Sequence, residues 1–263
     1  MNQYKYIKES IDGRIGRLSL NRPELHNAFN IEMIRELIAS ISYLNKQENI
    51  VLIYIAAKGP DFSSGADLNW MKANEKQSSE QHYSESKELA SLFNTIYNSA
   101  KITLAAVQGN VIGGANGIIA AVDISVSAKS ACFSFPEVRL GLVPATIAPY
   151  ILLKTGQGIA LEWMLTGRKI DAEEAYRRGL TNHLADDADL DTKCFEIIKM
   201  ILRNGPEAMY GIKQFLKNSL HIKHPDELVD TTAGLIAKYR NSKEGLEGIS
   251  AFLENRQPGW TNE

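Results

Sequence analysis

The chain has 263 residues, of which 44% are hydrophobic and 23% charged, and its formal net charge at pH 7 is −2. That balance excludes an intrinsically disordered chain and argues against a nucleic-acid-binding protein, which usually carries a basic excess. Two cysteines are too few for a disulfide framework or a cysteine-rich zinc site. No apolar run reaches about 18 residues, and the first ten residues lack a signal-peptide core. We therefore expect a cytoplasmic protein without a membrane span.

The first two thirds of the chain alternate short apolar runs with segments of helical periodicity. Residues 17–20 are predicted to form a strand that ends before Pro23, because proline cannot donate to a sheet. Asn30 is a candidate N-cap for a helix that continues to Leu44, and residues 50–56 are typical of a strand buried on both faces. A further helix and two further strands are predicted over 88–97, 103–107 and 124–128. This alternation indicates βαβ units and a mostly parallel sheet.

Helices dominate from about residue 148 onward. The main segments are predicted over 158–166, 171–178, 189–203, 206–219, 226–240 and 243–255. The linker expected before an independent domain is missing. We therefore predict an α/β core over residues 1–200 and a helical region over residues 201–263 that covers the core or a neighbouring subunit.

Two glycine-bearing loops follow predicted strands at their junctions with the next helices. Residues 62–68 have the sequence FSSGADL, and residues 109–117 have the sequence GNVIGGANG. Backbone N–H groups at such junctions lack helical partners and favour negative charge, so two that converge would form an oxyanion hole. Each loop alone is also typical of an ordinary turn. Neither matches a phosphate-binding loop, a dinucleotide fingerprint or a nucleophile elbow, so Ser63 and Ser64 are poor candidates for nucleophiles.

A third segment, FSFPEVRLGLVP over residues 133–144, places one carboxylate among apolar residues between two prolines. Burial there would raise the pKa of Glu137 and suit it to proton transfer near neutral pH. The alternative is a structural ion pair between Glu137 and Arg139 or another cation. The five histidines show no metal-ligand spacing, so no metal site is predicted.

Together these segments resemble the crotonase (enoyl-CoA hydratase/isomerase) superfamily. The motifs that carry the likeness are LNRPELHNAFN, FSSGADL, QGNVIGGANGIIAAVDI, FSFPEVRLGLVP, LTGRKIDAEEAYRRGLTNHL and AFLENRQPGW. The resemblance implies an α/β fold, a spiral of repeated ββα units followed by a C-terminal helical trimerisation region. It implies a homotrimer or a dimer of trimers that acts on an acyl-coenzyme A thioester without a metal or redox cofactor. SGADLNWM and EVRLGLVPATIAPY are most similar to bacterial methylglutaconyl-CoA hydratases of leucine breakdown.

The resemblance also assigns roles to individual residues. Ala66 and Gly114 would donate their backbone N–H groups to the thioester oxygen, and Glu137 would exchange a proton with a substrate carbon. The residues implied along the substrate and coenzyme A path are Arg22, Ser64, Asp67, Leu68, Gly113, Gly117 and Pro136. Arg22 would lie near the coenzyme A phosphates. Asp67 is equally suited to capping the helix that follows it.

One position departs from the pattern of the superfamily's hydratases, which have a second glutamate where this chain has Gly117. A single carboxylate suits a double-bond isomerase, or a hydratase whose water is held by Glu137 and backbone groups. Glycine at this position would also open space for a branched or carboxylated acyl chain. Arg139 is a candidate partner for a substrate carboxylate, the alternative being a structural pair.

The segment 72–91 offers polar groups that could take the place of the second glutamate, although most of them are expected on a solvated helix face. They are Glu75, Glu80, His82, Tyr83, Glu85 and Glu88. Trp70 and Met71 are expected in the core rather than in the wall of a pocket. The leading hypothesis is a hydratase acting on a 2-enoyl-CoA. The alternatives are an enoyl-CoA Δ3,Δ2-isomerase and a non-catalytic acyl-CoA binder.

Overall fold

The structure is a computed structural model that describes residues 3–73, 77–219 and 224–261. Its strands in chain order are β1 (Ile7–Asp12), β2 (Ile15–Leu20), β3 (Leu52–Ala57), β4 (Ile102–Val107), β5 (Asn110–Ile112), β6 (Ile124–Ala128), β7 (Cys132–Ser134), β8 (Lys169–Asp171) and β9 (His183–Ala185). The helices that precede β6 are α1 (Ile31–Asn45), α2 (Leu68–Ala73), α3 (Ser79–Tyr97) and α4 (Ala115–Ala121). Those that follow β7 are α5 (Ala148–Thr155), α6 (Gln157–Thr166), α7 (Ala172–Arg177), α8 (Leu190–Leu202), α9 (Pro206–Ser219), α10 (Pro225–Arg240) and α11 (Lys243–Leu253).

Two sheets organise the core. The larger has the strand order β1-β2-β3-β4-β6-β9, and the smaller has the order β5-β7-β8. The β1–β2 pair is antiparallel, whereas each later neighbour in the larger sheet is parallel. The parallel strands are connected through helices and short strands of the smaller sheet, as expected for repeated ββα units. The predicted α/β fold class with C-terminal helices is confirmed.

The central strand β3 is buried on both faces, as its continuous apolar run predicted. Ile53 and Ile55 belong to the larger hydrophobic cluster, whereas Leu52 and Tyr54 belong to the cluster packed under α8. Successive strand residues point to opposite faces, so β3 contributes to both layers. The larger cluster includes residues of α1, α3 and α4, and these elements position the loops described below.

Most predicted helices are present, with small differences at their ends. Asn30 caps α1 by accepting a hydrogen bond from the backbone N–H of Met33 at 2.9 Å. The three-residue strands β5, β7 and β8 were not predicted, since a segment that short shows no usable periodicity. No helix within the described ranges is long and apolar enough to cross a membrane. The division of the chain near residue 200 stays a prediction.

Candidate active site

The two glycine-bearing loops lie against each other. Ser63 forms a parallel β-bridge with Val111, and the backbone N–H of Ile112 donates to the Ser63 carbonyl at 3.0 Å. Gly65 has φ +84°, and a Cβ there would lie 2.6 Å from the Ile112 carbonyl oxygen. Only glycine fits this combination of a left-handed backbone and a close backbone approach. The segment FSSGADL is therefore packed directly onto the segment GNVIGGANG.

Each loop contributes one residue, Ala66 or Gly114, to the wall of the same cavity. Phe29 and Ala66 form a parallel β-bridge, in which the Phe29 N–H donates to the Gly65 carbonyl at 2.7 Å and the Asp67 N–H donates to the Phe29 carbonyl at 2.9 Å. The Ala66 N–H therefore points away from Phe29. Gly114 precedes the first turn of α4, where N–H groups have no helical acceptor. Neither the Ala66 N–H nor the Gly114 N–H donates to a protein acceptor within the described ranges. Both groups are free to bind a substrate oxygen.

Glu137 reaches the same cavity from a short 3₁₀ turn, Pro136–Leu140, that begins with proline and ends at Gly141 in the left-handed conformation. Its carboxylate lies against Gly113, where an added Cβ would be 2.9 Å from Oε1. Its Oε2 atom is buried and has no hydrogen-bond partner among the described residues. Burial raises the pKa of Glu137 above its ordinary value. These are the features of a carboxyl group suited to proton transfer.

The alternative of a structural ion pair with Arg139 is wrong. Glu137 forms no ion pair in the part of the chain that the structure describes. The exposed Arg139 side chain lies instead near Gly167, where an added Cβ would be 3.2 Å from its Nε atom. The Glu137 carboxylate therefore lacks the cation that would hold its pKa down.

The cavity shared by Ala66, Gly114 and Glu137 has a volume of about 460 Å³. Its wall is mostly apolar and is formed by Phe29, Ile34, Trp70, Met71, Leu89, Leu142, Val143 and Pro144. The polar residues that complete the wall are His82, Glu85, Ser86 and Thr146. A volume of this size lies in the range of small-molecule binding sites.

Several wall residues differ from the sequence-based expectations. Trp70 and Met71 were expected in the core but are half-buried and line the cavity. Most polar residues of the segment 72–91 were expected on a solvated face; the exposed His82 and the half-buried Glu85 also line the cavity. The remaining candidates from that segment are placed as follows: Glu80 and Tyr83 are exposed outside the cavity, Glu88 pairs with Arg35 at 2.7 Å, and Glu75 lies outside the described residues. Spacing of three, four and seven residues on α3 was the available signal for this cavity face.

The expectation that Gly117 opens space in the site is wrong. Gly117 is buried in α4, and a Cβ there would lie 2.6 Å from both Ile147 Cγ2 and Phe93 Cε1. Phe93 and Ile147 are themselves fully buried, so these side chains fill the volume that a second catalytic carboxylate would need. Gly117 is absent from the cavity wall and makes no direct approach to an acyl chain there.

We expect Gly117→Ala to destabilise the protein by about 1–3 kcal/mol, the usual cost of overpacking a core. Helix propensity alone would favour alanine, so the sign of the change reports the contact with Phe93 and Ile147. Gly158→Ala in α6 is the matched control, because nothing lies within 4 Å of the added Cβ there. Urea unfolding of both variants measures the difference. Equal stabilities of the two variants would contradict the packing described here.

Arg22 and Asp67 pair with each other beside the FSSGADL loop. They form an ion pair at 2.8 Å with both side chains almost fully buried, and Arg22 also donates to the Ala28 carbonyl at 3.0 Å. Asp67 accepts from the backbone N–H groups of Asn69 and Trp70, so it caps α2. Burial opposes ionisation of Asp67, but Arg22 and these N–H groups together lower its pKa. The position of Arg22 near the coenzyme A phosphates stays a prediction.

Four further predicted residues border the site without lining the cavity. Gly113 contacts the Glu137 carboxylate, and Pro136 starts the turn that carries it. The Ser64 N–H donates to the His26 carbonyl at 2.9 Å, and the Leu68 side chain is 64% exposed. Their contacts with coenzyme A stay predictions. The sequence did not single out Phe29, Ile34 and Thr146 as wall residues.

The chain matches one protein family and its named relatives over nearly its whole length. The enoyl-CoA hydratase/isomerase family model matches residues 10–263. The human protein named enoyl-CoA hydratase domain-containing protein 3, mitochondrial, is 28% identical over 260 residues, covering 96% of this chain and 82% of that protein.

Solved structures agree over the same length. An enoyl-CoA hydratase from Shewanella pealeana superposes with a TM-score of 0.94 at 36% identity, covering 98% of this chain and 97% of that one. An enoyl-CoA hydratase from Bacillus anthracis superposes with a TM-score of 0.89 at 25% identity, and the match covers 98% of this chain and 100% of that chain. With the fold, the paired loops and the buried glutamate, these matches show that the chain belongs to the enoyl-CoA hydratase/isomerase family.

Proposed function

We propose that this protein is a hydratase-type lyase that adds water to a 2-enoyl-CoA thioester. The observation that carries the proposal is the meeting of two unused backbone N–H groups and one unpartnered buried carboxyl group in a single cavity. Several relatives bear the name enoyl-CoA hydratase, which supports the same reaction. Glu137 is proposed as the acid/base, and Ala66 and Gly114 as the oxyanion-binding residues.

The proposed reaction passes through an enolate-like state with negative charge on the thioester oxygen. The N–H groups of Ala66 and Gly114 bind that oxygen, each contributing roughly 3 kcal/mol in the transition state. The Glu137 carboxylate takes a proton from water while the water oxygen bonds to C3. The electrons of the C2–C3 double bond shift to the C1–C2 bond, and the negative charge develops on the thioester oxygen. Glu137 then returns the proton to C2, which leaves a 3-hydroxyacyl thioester and an unchanged carboxylate.

One observation favours isomerisation as a second candidate function. Phe93 and Ile147 fill the space at Gly117, so the described residues offer no second carboxylate at that position to hold the water. A single carboxylate is sufficient to take a proton from C2 of a 3-enoyl thioester and return it to C4. The same oxyanion-binding groups would stabilise the dienolate between these two steps.

Reaction in ¹⁸O-labelled water separates the two functions. A hydratase incorporates one solvent oxygen at C3, and mass spectrometry of the product thioester measures this directly. An isomerase gives a product with no added oxygen when supplied with a 3-enoyl thioester. Tight binding without turnover across a panel of enoyl thioesters would instead support a non-catalytic binder and overturn the proposal.

We expect kcat/KM to rise with pH across an acid limb that belongs to Glu137. Its pKa is raised by burial, so the carboxylate needed to accept a proton forms at higher pH than for an ordinary glutamate. The pH profile of kcat/KM with one neutral enoyl thioester measures this limb. A profile already flat down to about pH 4.3, the ordinary value for glutamate, would contradict the assignment.

Methylglutaconyl-CoA is the finer substrate candidate, on the likeness of SGADLNWM and EVRLGLVPATIAPY. Its distal carboxylate would require a cation, and Arg139 was the candidate in the sequence. Arg139 is exposed and absent from the cavity wall. Arg139 therefore gives no support to a carboxylated acyl chain in this cavity.

We also propose that the protein acts as a homotrimer or a dimer of trimers. Large apolar side chains on α10 and α11 are exposed, and the most exposed are Val229, Ile236, Phe252 and Leu253. A concentration of exposed apolar side chains on two helices is typical of an interaction surface. Light scattering coupled to size-exclusion chromatography should give three or six times the mass of one chain. A monomeric mass at micromolar concentration would reject the assembly.

A further inference from the structure

Asp61 is a buried carboxylate directly before the segment FSSGADL. It follows Pro60 in the connection after β3, and its side chain is 9% exposed. Asp61 does not line the cavity, and the proposed reaction gives it no part. Burial of a carboxylate is unfavourable unless hydrogen bonds replace the lost water, so the partners of Asp61 indicate its role.

The Asp61 carboxylate joins two other segments of the chain to its own. Its Oδ1 atom accepts hydrogen bonds from the backbone N–H and from the side-chain amide of Asn110, each at 2.7 Å. Its Oδ2 atom lies 2.6 Å from Nδ1 of His26. Burial opposes ionisation of Asp61, but these hydrogen bonds together lower its pKa. The carboxylate is therefore charged at neutral pH and accepts at both oxygens.

The bonds to Asn110 connect the two loops that carry Ala66 and Gly114. Asn110 is the first residue of β5, which leads into Gly114, whereas the chain continues from Asp61 towards Ala66. A Cβ at Gly109 would lie 2.6 Å from Asp61 Oδ1, so the carboxylate is packed against the turn that precedes β5. Asp61 therefore links the entry of one loop to the entry of the other.

The same residue is also tied to the segment that precedes α1. The Asn27 side-chain amide donates to the Asp61 carbonyl at 2.9 Å, and the Ser64 N–H donates to the His26 carbonyl at 2.9 Å. The His26 side chain is 61% exposed, so its bond to the carboxylate is expected to contribute less than the bonds from Asn110. Three segments thus form one hydrogen-bonded unit around Asp61.

We propose that Asp61 is a positioning residue that holds the N–H groups of Ala66 and Gly114 at the separation needed to bind one oxygen atom. This inference rests on the proposed function, because it assumes that these two N–H groups bind the thioester oxygen. Such a site depends on donors that are fixed before the charge develops, and a displacement of about 1 Å can lower a rate about 10²-fold. The bridge between Ser63 and Val111 joins the loops further along, and Asp61 fixes them at their entry.

Steady-state kinetics with hex-2-enoyl-CoA tests the inference. Asp61→Ala removes the acceptor of the Asn110 N–H, so we expect kcat to fall about 10–100-fold while KM changes by less than about threefold, because the donors act mainly on the charged transition state. Asp61→Asn retains an oxygen that can accept from the Asn110 N–H, and its kcat should stay within about threefold of wild type. Asp61→Ser, with a shorter side chain and one oxygen, should lower kcat in the same direction as Asp61→Ala, so misfolding of one variant does not remove the test. Equal kcat in wild type and Asp61→Ala, or equal losses in Asp61→Asn and Asp61→Ala, would overturn the inference.

Glu36→Ala is the matched control. Glu36 is half-buried, lies outside the cavity wall and accepts hydrogen bonds from the backbone N–H groups of Lys5 and Tyr6 at 2.7 and 2.8 Å. It therefore ties distant segments together as Asp61 does, but not the two loops of the site. Its loss should lower the thermal midpoint while kcat stays within about twofold of wild type. A loss of kcat as large as that of Asp61→Ala would show a general effect of stability and reject the positioning role.

A double-mutant cycle with Gly114→Pro shows whether Asp61 acts through the oxyanion-binding pair. One donor of the pair is already missing in Gly114→Pro, so the separation of the two donors no longer matters. Adding Asp61→Ala to that variant should lower kcat by less than about threefold, because residues that act as a unit are not additive. A full loss of about 10–100-fold in the proline background would show that Asp61 acts elsewhere.

A vibrational measurement keeps the inference separate from the proposed reaction. Hydrogen bonds to a carbonyl oxygen weaken the C=O bond, so the infrared C=O frequency of bound [1-¹³C]butanoyl-CoA, a saturated thioester, reports binding by the pair. Asp61→Ala should lose about half or more of the frequency lowering found with wild type, whereas Asp61→Asn and Glu36→Ala should retain it. That result without turnover of any enoyl thioester would reject the hydratase proposal and leave the inference standing. Equal frequencies in wild type and Asp61→Ala, or binding to wild type without a lowered frequency, would overturn the inference itself.

Discussion

Replacing Glu137 by glutamine is expected to lower kcat by about 10²–10⁴-fold, the range lost when a general acid or base is removed. The amide has the shape of the carboxyl group but does not shuttle a proton between water and C2. The Oε2 atom of Glu137 has no hydrogen-bond partner among the described residues, so the change breaks no protein contact there. Steady-state kinetics with a neutral enoyl thioester measures the loss.

The same variant should be more stable than wild type at neutral pH. Burial raises the pKa of folded Glu137, so the folded state binds that proton more tightly than the unfolded chain does. The stability that protonation contributes is full below the unfolded pKa and is lost as the pH rises through the folded pKa. Glutamine removes this loss, so the two proteins should differ in urea unfolding at pH 7 and converge near pH 4.

Glu48→Gln serves as the control for both measurements. Glu48 is exposed and does not line the cavity, so its change should leave kcat and the pH dependence of stability near wild type. Near-normal activity of Glu137→Gln on every enoyl thioester tried would show that the proton is moved by another group. A decrease in its stability at pH 7 would show that the carboxylate has a stabilising partner in solution.

Gly114→Pro is expected to lower kcat by about 10²–10³-fold, because it deletes one donor of the oxyanion-binding pair. The backbone of Gly114 has φ −53°, which lies within the range that proline adopts. Its N–H makes no hydrogen bond to the described protein, and nothing lies within 4 Å of an added Cβ. The substitution replaces the N–H by the ring Cδ and restricts the backbone of the preceding Gly113, which has φ +53°, so the folding of this variant is measured as well.

Gly114→Ala separates the N–H from the side chain. Alanine retains the donor, so we expect its kcat to stay within about tenfold of wild type, well above that of the proline variant. Thermal unfolding of both variants checks that each remains folded. If both variants fold and have equal kcat, the Gly114 N–H does not contribute to the transition state, and the proposed oxyanion-binding pair is wrong.

Much of the fold was predictable from local pattern. The helix α1 and the strands β3, β4 and β6 were indicated by apolar periodicity or by continuous β-branched runs. The three-residue strands of the smaller sheet were missed because their pairing comes from neighbouring segments rather than from their own residues. A strand of that length becomes recognisable only when its partner is known.

The candidate site, like the fold, was predictable from the sequence only in part. Ala66 and Gly114 were identified through the resemblance of their motifs to the superfamily, and Glu137 was also indicated by its apolar neighbours; the structure brings all three to one cavity. The surroundings of Arg22 were not identifiable, because its partner Asp67 is contributed by a loop 45 positions further along the chain. A free arginine and an arginine in a buried ion pair have the same local sequence.

The amino-acid sequence by itself determined the fold class, the order of the main elements and the three groups proposed for the chemistry. These features depend on backbone periodicity and on short motifs, which are local properties. Only the tertiary structure decided that Phe93 fills the space beside Gly117 and that Glu85 lines the same cavity as Glu137. Packing between distant segments determines which side chains share a volume, and no local pattern encodes that choice.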